Sequence, residues 1–100
     1  MCIFGFIKII IIMNTKIIYF TSPGCSICTN QTVILNQIQS EKNIEIENHL
    51  ITTAFDKALG YGVKSAPTLV FLYDNKPQVI KTGFQSKNQI SEILQQLDEL

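Results

Sequence analysis

Two cysteines three positions apart, Cys25 and Cys28, are the residues of this chain best suited to chemistry. They follow an apolar, β-prone run over residues 16–21 and a Ser-Pro-Gly turn, and the residues after them favour a helix. A thiol at a helix N-terminus meets the positive end of the helix dipole and unpaired backbone N–H groups. Both stabilise the thiolate, which is the reactive form of cysteine. The spacing, the turn and the predicted helix together indicate dithiol–disulfide exchange.

The two cysteines are expected to take different catalytic roles. Cys25 is nearer the helix end and the more accessible of the two, so it is the predicted nucleophile. Cys28 lies one helical turn further in and would attack the mixed disulfide, which releases the substrate in its reduced form. The intervening Ser26 and Ile27 help to set the stability of the thiolate and therefore the reduction potential.

The composition indicates one small globular domain. The chain has 100 residues, of which 46% are hydrophobic and 16% charged, so a packed core is expected rather than disorder. Its formal net charge is zero and it has no basic patch, so nucleic acid is not an expected partner. Three cysteines are too few for a disulfide-stapled scaffold and fit a reducing, cytoplasmic compartment. Nothing in the pattern indicates oligomerisation, and we expect a monomer.

Residues 1–12 form an apolar extension ahead of the domain that we assign to residues 13–100. The extension is shorter than the ~20 apolar residues that a membrane span needs. It also lacks the basic start and the cleavage site of a secretory signal. We favour translation from Met13. The alternatives are an N-terminal anchor, which would bring in a membrane or export, and an added strand or core helix.

Hydrophobic periodicity predicts the element order β-α-β-α-β-β-α. The predicted strands are residues 16–21, 44–48, 68–73 and 77–82. The predicted helices are residues 25–40, 52–60 and a last one that starts at a Ser86–Gln89 capping box. A helix between the first two strands requires a parallel pair with a right-handed crossover, and the turn at 74–76 requires an antiparallel hairpin. The predicted fold is α/β, a four-stranded mixed sheet with helices on both faces.

Apolar residues at helical spacing are expected to face the core in each helix. They are Ile27, Ile34, Leu35 and Ile38, then Ala54, Phe55, Ala58 and Leu59, then Ile90, Ile93, Leu94 and Leu97. The aromatic residues expected to pack in the core or on the sheet are Tyr61, Phe71 and Tyr73. We expect Glu45 and Glu47 on a solvated strand face, and His49, after that strand, as a surface or loop residue rather than a catalyst.

The element order and three short motifs resemble the thioredoxin superfamily over about residues 16–99. The motifs are the CxxC pair, the stretch Val63-Lys64-Ser65-Ala66-Pro67-Thr68 before the third strand, and Gly83-Phe84 before the last helix. A CxxC pair alone is weak evidence, whereas a CxxC pair with a downstream Ala-Pro-Thr before a β run is specific. The resemblance implies a thioredoxin-like fold in which Pro67 is a cis-proline lying against the dithiol.

The resemblance also implies a substrate groove around Pro67. A cis X-Pro bond turns the chain sharply and removes an N–H, so the backbone of Ala66 could pair with an extended substrate segment. Ala66 and Thr68 would line this groove, and Gly83 would permit close approach of the partner backbone. The alternative is an ordinary trans proline that opens an edge strand.

Two positions depart from the thioredoxin pattern. Thioredoxins carry a buried acidic residue on the first strand that accepts the proton of the resolving cysteine, and Tyr19 stands at that place. The Trp that usually precedes the first cysteine is replaced by Gly24. Base assistance would then come from water or another group, and the docking surface would be less aromatic.

These features predict a thiol–disulfide oxidoreductase that reduces protein disulfides, needs no cofactor and is recharged by a flavin reductase such as thioredoxin reductase. One alternative is a glutathione-dependent, glutaredoxin-like reductase. Glutaredoxins, however, usually carry a Val before the cis-proline and a Gly-Gly pair before the last helix, where this chain has Ala66 and a single Gly83.

Two further alternatives are not redox enzymes. The chain could be a non-catalytic thioredoxin-fold adaptor that binds a partner through the Pro67 groove. The CxxC pair could instead be half of a zinc site, but structural zinc needs four ligands. The remaining candidates, Cys2 and His49, are not at ligand spacing, and we therefore expect no metal.

Overall fold

The computed structural model describes residues 15–42 and 44–99. The strands are β1 (Thr15–Thr21), β2 (Glu45–Leu50), β3 (Thr68–Tyr73) and β4 (Lys76–Thr82). The helices are α1 (Ser26–Lys42), α2 (Phe55–Gly60) and α3 (Lys87–Asp98). The predicted order β-α-β-α-β-β-α is therefore confirmed, with boundaries that move by at most three residues. The apolar extension over residues 1–12 and Cys2 lie outside the described residues.

The four strands form one mixed sheet in the order β2-β1-β3-β4. β1 runs parallel to β2 and antiparallel to β3, and β3 pairs antiparallel with β4. Ile17 in the middle of β1 pairs with Ile46 on one side and with Phe71 on the other. The two central strands are the β-branched, apolar runs of the sequence, because only they are covered on both faces.

Alternation along β1 divides the core into two layers. Ile17 and Tyr19 face the layer that packs against α1 and α3. Ile18 and Phe20 face the opposite layer, which includes Ala58 of α2. Successive strand residues point to opposite faces of a sheet, so one strand supplies both layers. Helices on both faces of the sheet, as predicted, are confirmed.

Two local signals form as the sequence predicts. The β3–β4 hairpin turns at Asp74 and Asn75, which have φ values of 55° and 64°. Positive φ at both central residues is the pattern of a type I′ hairpin turn. At the start of α3, Ser86 Oγ accepts from the Gln89 backbone N–H and Gln89 Oε1 accepts from the Ser86 backbone N–H. This reciprocal capping box directs the apolar stripe of α3 into the core.

Three predicted core residues, Ile27, Phe55 and Leu59, are exposed instead, by 52%, 59% and 55% respectively. In α1 the buried stripe is Cys28, Gln31, Leu35 and Ile38. The polar Gln31 conceals the phase of this stripe, so the apolar pattern places Ile27 one residue out of register. In α2 the helix has only six residues, and of these only Ala58 is buried.

The predicted place of His49 after the strand and the predicted solvation of Glu47 were both wrong. His49 lies within β2, not in a loop after it, and its ring lies 5.9 Å from that of Phe20. The Glu47 carboxylate is not simply solvated, because it contacts Lys16 at 3.0 Å, Lys57 at 2.7 Å and His49. Lys16 reaches Glu47 through the parallel pairing of β1 with β2, a long-range contact that local alternation does not show.

The corrected register of α1 predicts unequal effects for two isoleucines. Ile38→Ala removes a fully buried side chain and should lower the free energy of unfolding by about 2–5 kcal/mol. Ile27→Ala on the same helix should change it by no more than about 0.5 kcal/mol. Urea unfolding of both variants checks this, and equal losses would contradict the observed register.

The cations around Glu47 predict a stability difference that depends on pH. The Lys57 ammonium, together with His49 and Lys16, lowers the pKa of the Glu47 carboxyl from 4.5 to about 2. A lowered folded-state pKa contributes stability above the ordinary pKa, and this contribution disappears as pH falls towards the folded-state value.

Glu47→Gln should therefore destabilise the fold at pH 7, by less than about 1 kcal/mol because the contacts are partly exposed. The difference from the unmodified chain should shrink between pH 4.5 and about 2. Urea unfolding across this range checks the sign, with the more exposed Glu45→Gln as the matched control. A difference that grows towards low pH would contradict the assignment.

Candidate active site

The CxxC pair lies at the start of α1. Cys25 immediately precedes the first helical residue, and its Sγ accepts the backbone N–H of Cys28 at 3.1 Å. The sulfur thus satisfies one of the N–H groups that a helix start leaves without a partner. Cys25 is partly exposed and Cys28 is buried. The outer sulfur can be reached by another molecule, while the inner one is covered by the fold.

Cys25 and Cys28 are joined by a disulfide, with their Cα atoms 5.2 Å apart. The surface beside them is an open, largely polar depression. Its lining comprises Thr21, Ser22, Gly24, Cys25, Ser26, Cys28, Thr29 and Thr32. The Cα separation lies within the range usual for a disulfide.

Gly24 has a structural reason to be glycine. Its φ is 72°, in the left-handed region that residues other than glycine rarely adopt. A bulky aromatic residue at this position would need a different turn before Cys25. Glycine in place of the Trp noted in the sequence therefore suits the turn that precedes Cys25.

The peptide bond between Ala66 and Pro67 is cis, and Pro67 is buried. The carbonyl of Pro67 accepts the backbone N–H of Gly83 at 2.8 Å. Thr68 is fully buried, and its hydroxyl donates to the Ser65 carbonyl at 2.7 Å. Thr68 therefore offers no exposed surface to a groove, whereas Ala66 is partly exposed.

The sheet register brings the three sequence motifs to one end of the sheet. Phe20, near the end of β1, pairs with Thr68 at the start of β3. Thr68 in turn pairs with Thr82 at the end of β4. β1 leads into the CxxC turn, Pro67 precedes β3, and Gly83 follows β4. Segments far apart in the sequence therefore leave or enter the sheet side by side.

Tyr19 forms a hydrogen bond to the backbone of the inner cysteine, Cys28. Its hydroxyl is buried, donates to the Cys28 carbonyl at 2.7 Å and lies 3.1 Å from Thr32 Oγ1. Thr32 donates to the same carbonyl at 2.9 Å. Burial raises the pKa of Tyr19 above its ordinary value of 10.0, so the hydroxyl stays neutral. Where thioredoxins carry an acid, this chain has a neutral donor that bonds to the backbone of the resolving cysteine.

The sequence analysis missed the role of one buried polar residue of α1, Gln31. It is fully buried in α1, three positions after Cys28, and its side-chain amide binds the backbone of Gln85. Only the position of Gln31, on the same helical face as Cys28, could have pointed to it. Its polarity had the opposite effect and indicated a solvent-facing residue.

The described residues contain neither a metal-binding cluster nor a membrane-spanning helix. Over 15–42 and 44–99, His, Cys, Asp and Glu side chains form no group of three that could hold a metal ion. In the same part of the chain, no helix combines the length and the apolar character needed to cross a bilayer.

The sequence matches the family model of the thioredoxin domain over residues 13–95. The chain belongs to the thioredoxin superfamily. A thioredoxin domain with a disulfide-forming CxxC pair is a thiol–disulfide oxidoreductase in the general sense. No curated protein sequence matches the chain.

Solved structures share the thioredoxin fold at low sequence identity. A thioredoxin mutant from Halobacterium salinarum superimposes with a TM-score of 0.82 at 17% identity, over 93% of this chain and 82% of the other. Thioredoxin-2, a component of malaria parasite protein secretion machinery, superimposes with a TM-score of 0.76 at 24% identity, over 83% of this chain and 82% of the other. A structure described as a malarial protein superimposes with a TM-score of 0.75 at 24% identity, over 83% of this chain and 96% of the other. At these identities the likeness establishes the fold.

The contacts of Tyr19 predict a structural effect without a change in base chemistry. Tyr19→Phe keeps the buried ring and removes one donor from the Cys28 carbonyl, which retains Thr32. The free energy of unfolding should fall by about 0.5–1.5 kcal/mol. The pH profile of disulfide exchange should keep its midpoint, because a neutral hydroxyl is not the base.

Urea unfolding and exchange rates across pH measure these two outcomes, with Tyr61→Phe as the control on the other core layer. A shifted pH midpoint in Tyr19→Phe alone would show that this hydroxyl takes part in proton transfer.

Proposed function

We propose that this protein reduces disulfide bonds of polypeptide substrates and is recharged by a flavin reductase of the thioredoxin-reductase type. The observation that carries the proposal is the unequal pair of sulfurs at one helix start. Cys25 is accessible and bonded to the buried Cys28, at the end of the sheet where Pro67 and Gly83 also lie.

The first step uses the reduced form of the pair. The Cys25 thiolate attacks one sulfur of the substrate disulfide, and the substrate S–S bond breaks as a Cys25–substrate mixed disulfide forms. The other substrate sulfur leaves as a thiolate and takes up a proton. The N–H of Cys28, which bonds to Cys25 Sγ, is placed to stabilise the attacking thiolate.

The second step releases the product. The Cys28 thiol loses its proton to water, and its sulfur attacks Cys25 in the mixed disulfide. The Cys25–Cys28 disulfide forms, the second substrate thiolate leaves, and two electrons have passed from the protein to the substrate. The disulfide in the structure corresponds to this end state, and a reductase returns it to the dithiol.

The surface around Cys25 favours an extended polypeptide over a small molecule. The depression beside the sulfur is open to solvent rather than enclosed. Ile27 in the first turn of α1 and Phe84 in the loop after β4 are each about half exposed, so they offer apolar contacts to a protein partner. The partly exposed Ala66 before Pro67 leaves its backbone available for strand-like pairing.

We propose that the protein is a monomer and acts in the cytoplasm. A dithiol that must be kept reduced suits a reducing compartment. The adaptor hypothesis is disfavoured, because binding alone gives no reason for two cysteines held at bonding distance.

The test is an NADPH-coupled assay of insulin disulfide reduction by the full chain. Parallel reactions contain either thioredoxin reductase or glutathione with its reductase. We expect turnover with thioredoxin reductase, complete loss in Cys25→Ser, and an accumulated mixed disulfide in Cys28→Ser. Cys2→Ser is the matched control and should retain turnover.

Turnover only with glutathione would contradict the proposed electron source and favour the glutaredoxin-like alternative. Absence of turnover in both reactions would contradict a general reductase. Equal activity of Cys25→Ser and the unmodified chain would exclude the assigned nucleophile.

A further inference from the structure

A buried amide joins the active-site helix to the loop after β4. Gln31 of α1 has a relative exposure of 0%. Its Nε2 donates to the Gln85 carbonyl at 3.0 Å, and its Oε1 accepts the Gln85 backbone N–H at 2.7 Å. Both ends of the side chain are therefore bonded to the backbone of a single residue that is 54 positions away in the sequence.

An apolar residue could occupy this helical position without needing any partner. Gln31 belongs to the same buried stripe of α1 as Leu35 and Ile38. A buried amide is costly unless its hydrogen bonds are made, and a Leu or Met would fill similar space. The amide differs from those residues in directionality, since only one placement of the Gln85 backbone satisfies both of its bonds.

The hydrogen bonds continue from Gln85 to the cis-proline. Gln85 Nε2 donates to the Gly83 carbonyl at 3.3 Å, and the Gly83 N–H donates to the Pro67 carbonyl at 2.8 Å. Residues 83 and 85 are thus both held, and Phe84 between them is 43% exposed. The loop presents an aromatic side chain to solvent from a backbone fixed on each side.

We propose that Gln31 is a positioning residue for polypeptide substrates, which holds the loop over residues 83–85, and with it Phe84, at a fixed place relative to the dithiol. This inference rests on the proposed function, because it concerns how a protein partner is bound. The geometry of the cysteines themselves depends on the start of α1 and on the bond from the Cys28 N–H to Cys25 Sγ. Loss of the Gln31 bonds should therefore affect substrate binding more than the exchange step.

The test uses the full chain, reduced beforehand, so that no reductase enters the measurement. Single-turnover oxidation by increasing concentrations of insulin gives a half-saturating concentration and a limiting rate. The rate with 5,5′-dithiobis(2-nitrobenzoic acid), a small aromatic disulfide, reports the reactivity of Cys25 alone. Hydrogen exchange of the Gln85 amide, measured by NMR, reports the loop without reference to activity.

Gln31→Met removes both hydrogen bonds and keeps a side chain of similar size. The half-saturating insulin concentration should rise at least about threefold, within the ~100-fold that a misplaced positioning group can cost. The limiting rate and the rate with the small disulfide should stay unchanged, and the Gln85 amide should lose its protection. Gln39→Met is the control, since Gln39 lies on the same helix and bonds to Ile44, at the other end of α1.

If Gln31→Met does not fold, Phe84→Ala tests the same inference. This variant truncates an exposed side chain, so it should fold, and it should also raise the half-saturating insulin concentration. The inference is overturned if the Gln85 amide stays protected in Gln31→Met, if insulin half-saturation does not change, or if the rates with both disulfides fall together. An unmodified chain that reacts with the small disulfide but not with insulin overturns the proposed function itself. An active unmodified chain with an unaffected variant overturns only the role of Gln31.

Discussion

The antiparallel pairing of β1 with β3 is the constraint on which the rest of the site depends. It places the end of β1, which leads to Cys25, beside the start of β3, which follows Pro67. The same residue of β3, Thr68, also pairs with Thr82 at the end of β4. Because the registers of β1 and β4 are both fixed by pairing with β3, the dithiol turn, the cis-proline and the Gly83 loop all lie at the same end of the sheet. A slip of one residue would reverse the faces of β1 and disrupt both core layers.

Neutral polar side chains support the dithiol from within the fold. Tyr19 and Thr32 both donate to the Cys28 carbonyl, and Gln31 binds the loop that follows β4. None of these groups exchanges a proton near neutral pH, so they orient the backbone without acting as acids or bases. The chain thus retains the thioredoxin arrangement of helix, proline and loop while using hydroxyls and an amide where a buried carboxylate would carry charge.

The sequence was sufficient for features that depend on local pattern. The apolar runs of β1 and β3, the turn at Asp74 and Asn75 and the capping box at Ser86 each have a signal within a few residues, and each formed as expected. Two of the predictions that failed depended on contacts between distant segments. Ile27 was assigned to the core because Gln31 interrupts the apolar stripe, and a buried amide is recognisable only once Gln85 is beside it. Glu47 was assigned to solvent because Lys16 reaches it only across the sheet.

The bond from the Cys28 N–H to Cys25 Sγ links the stability of the fold to its oxidation state. In the disulfide form the N–H meets a neutral sulfur, whereas in the dithiol form it would meet a thiolate, and hydrogen bonds to charged acceptors are stronger. By a thermodynamic cycle, whatever stabilises the folded dithiol more than the folded disulfide raises the reduction potential, by about 30 mV for each 1.4 kcal/mol. One backbone amide at a helix end therefore acts on two equilibria at once, because loss of this bond would lower both the reduction potential of the pair and the stability of the folded dithiol form.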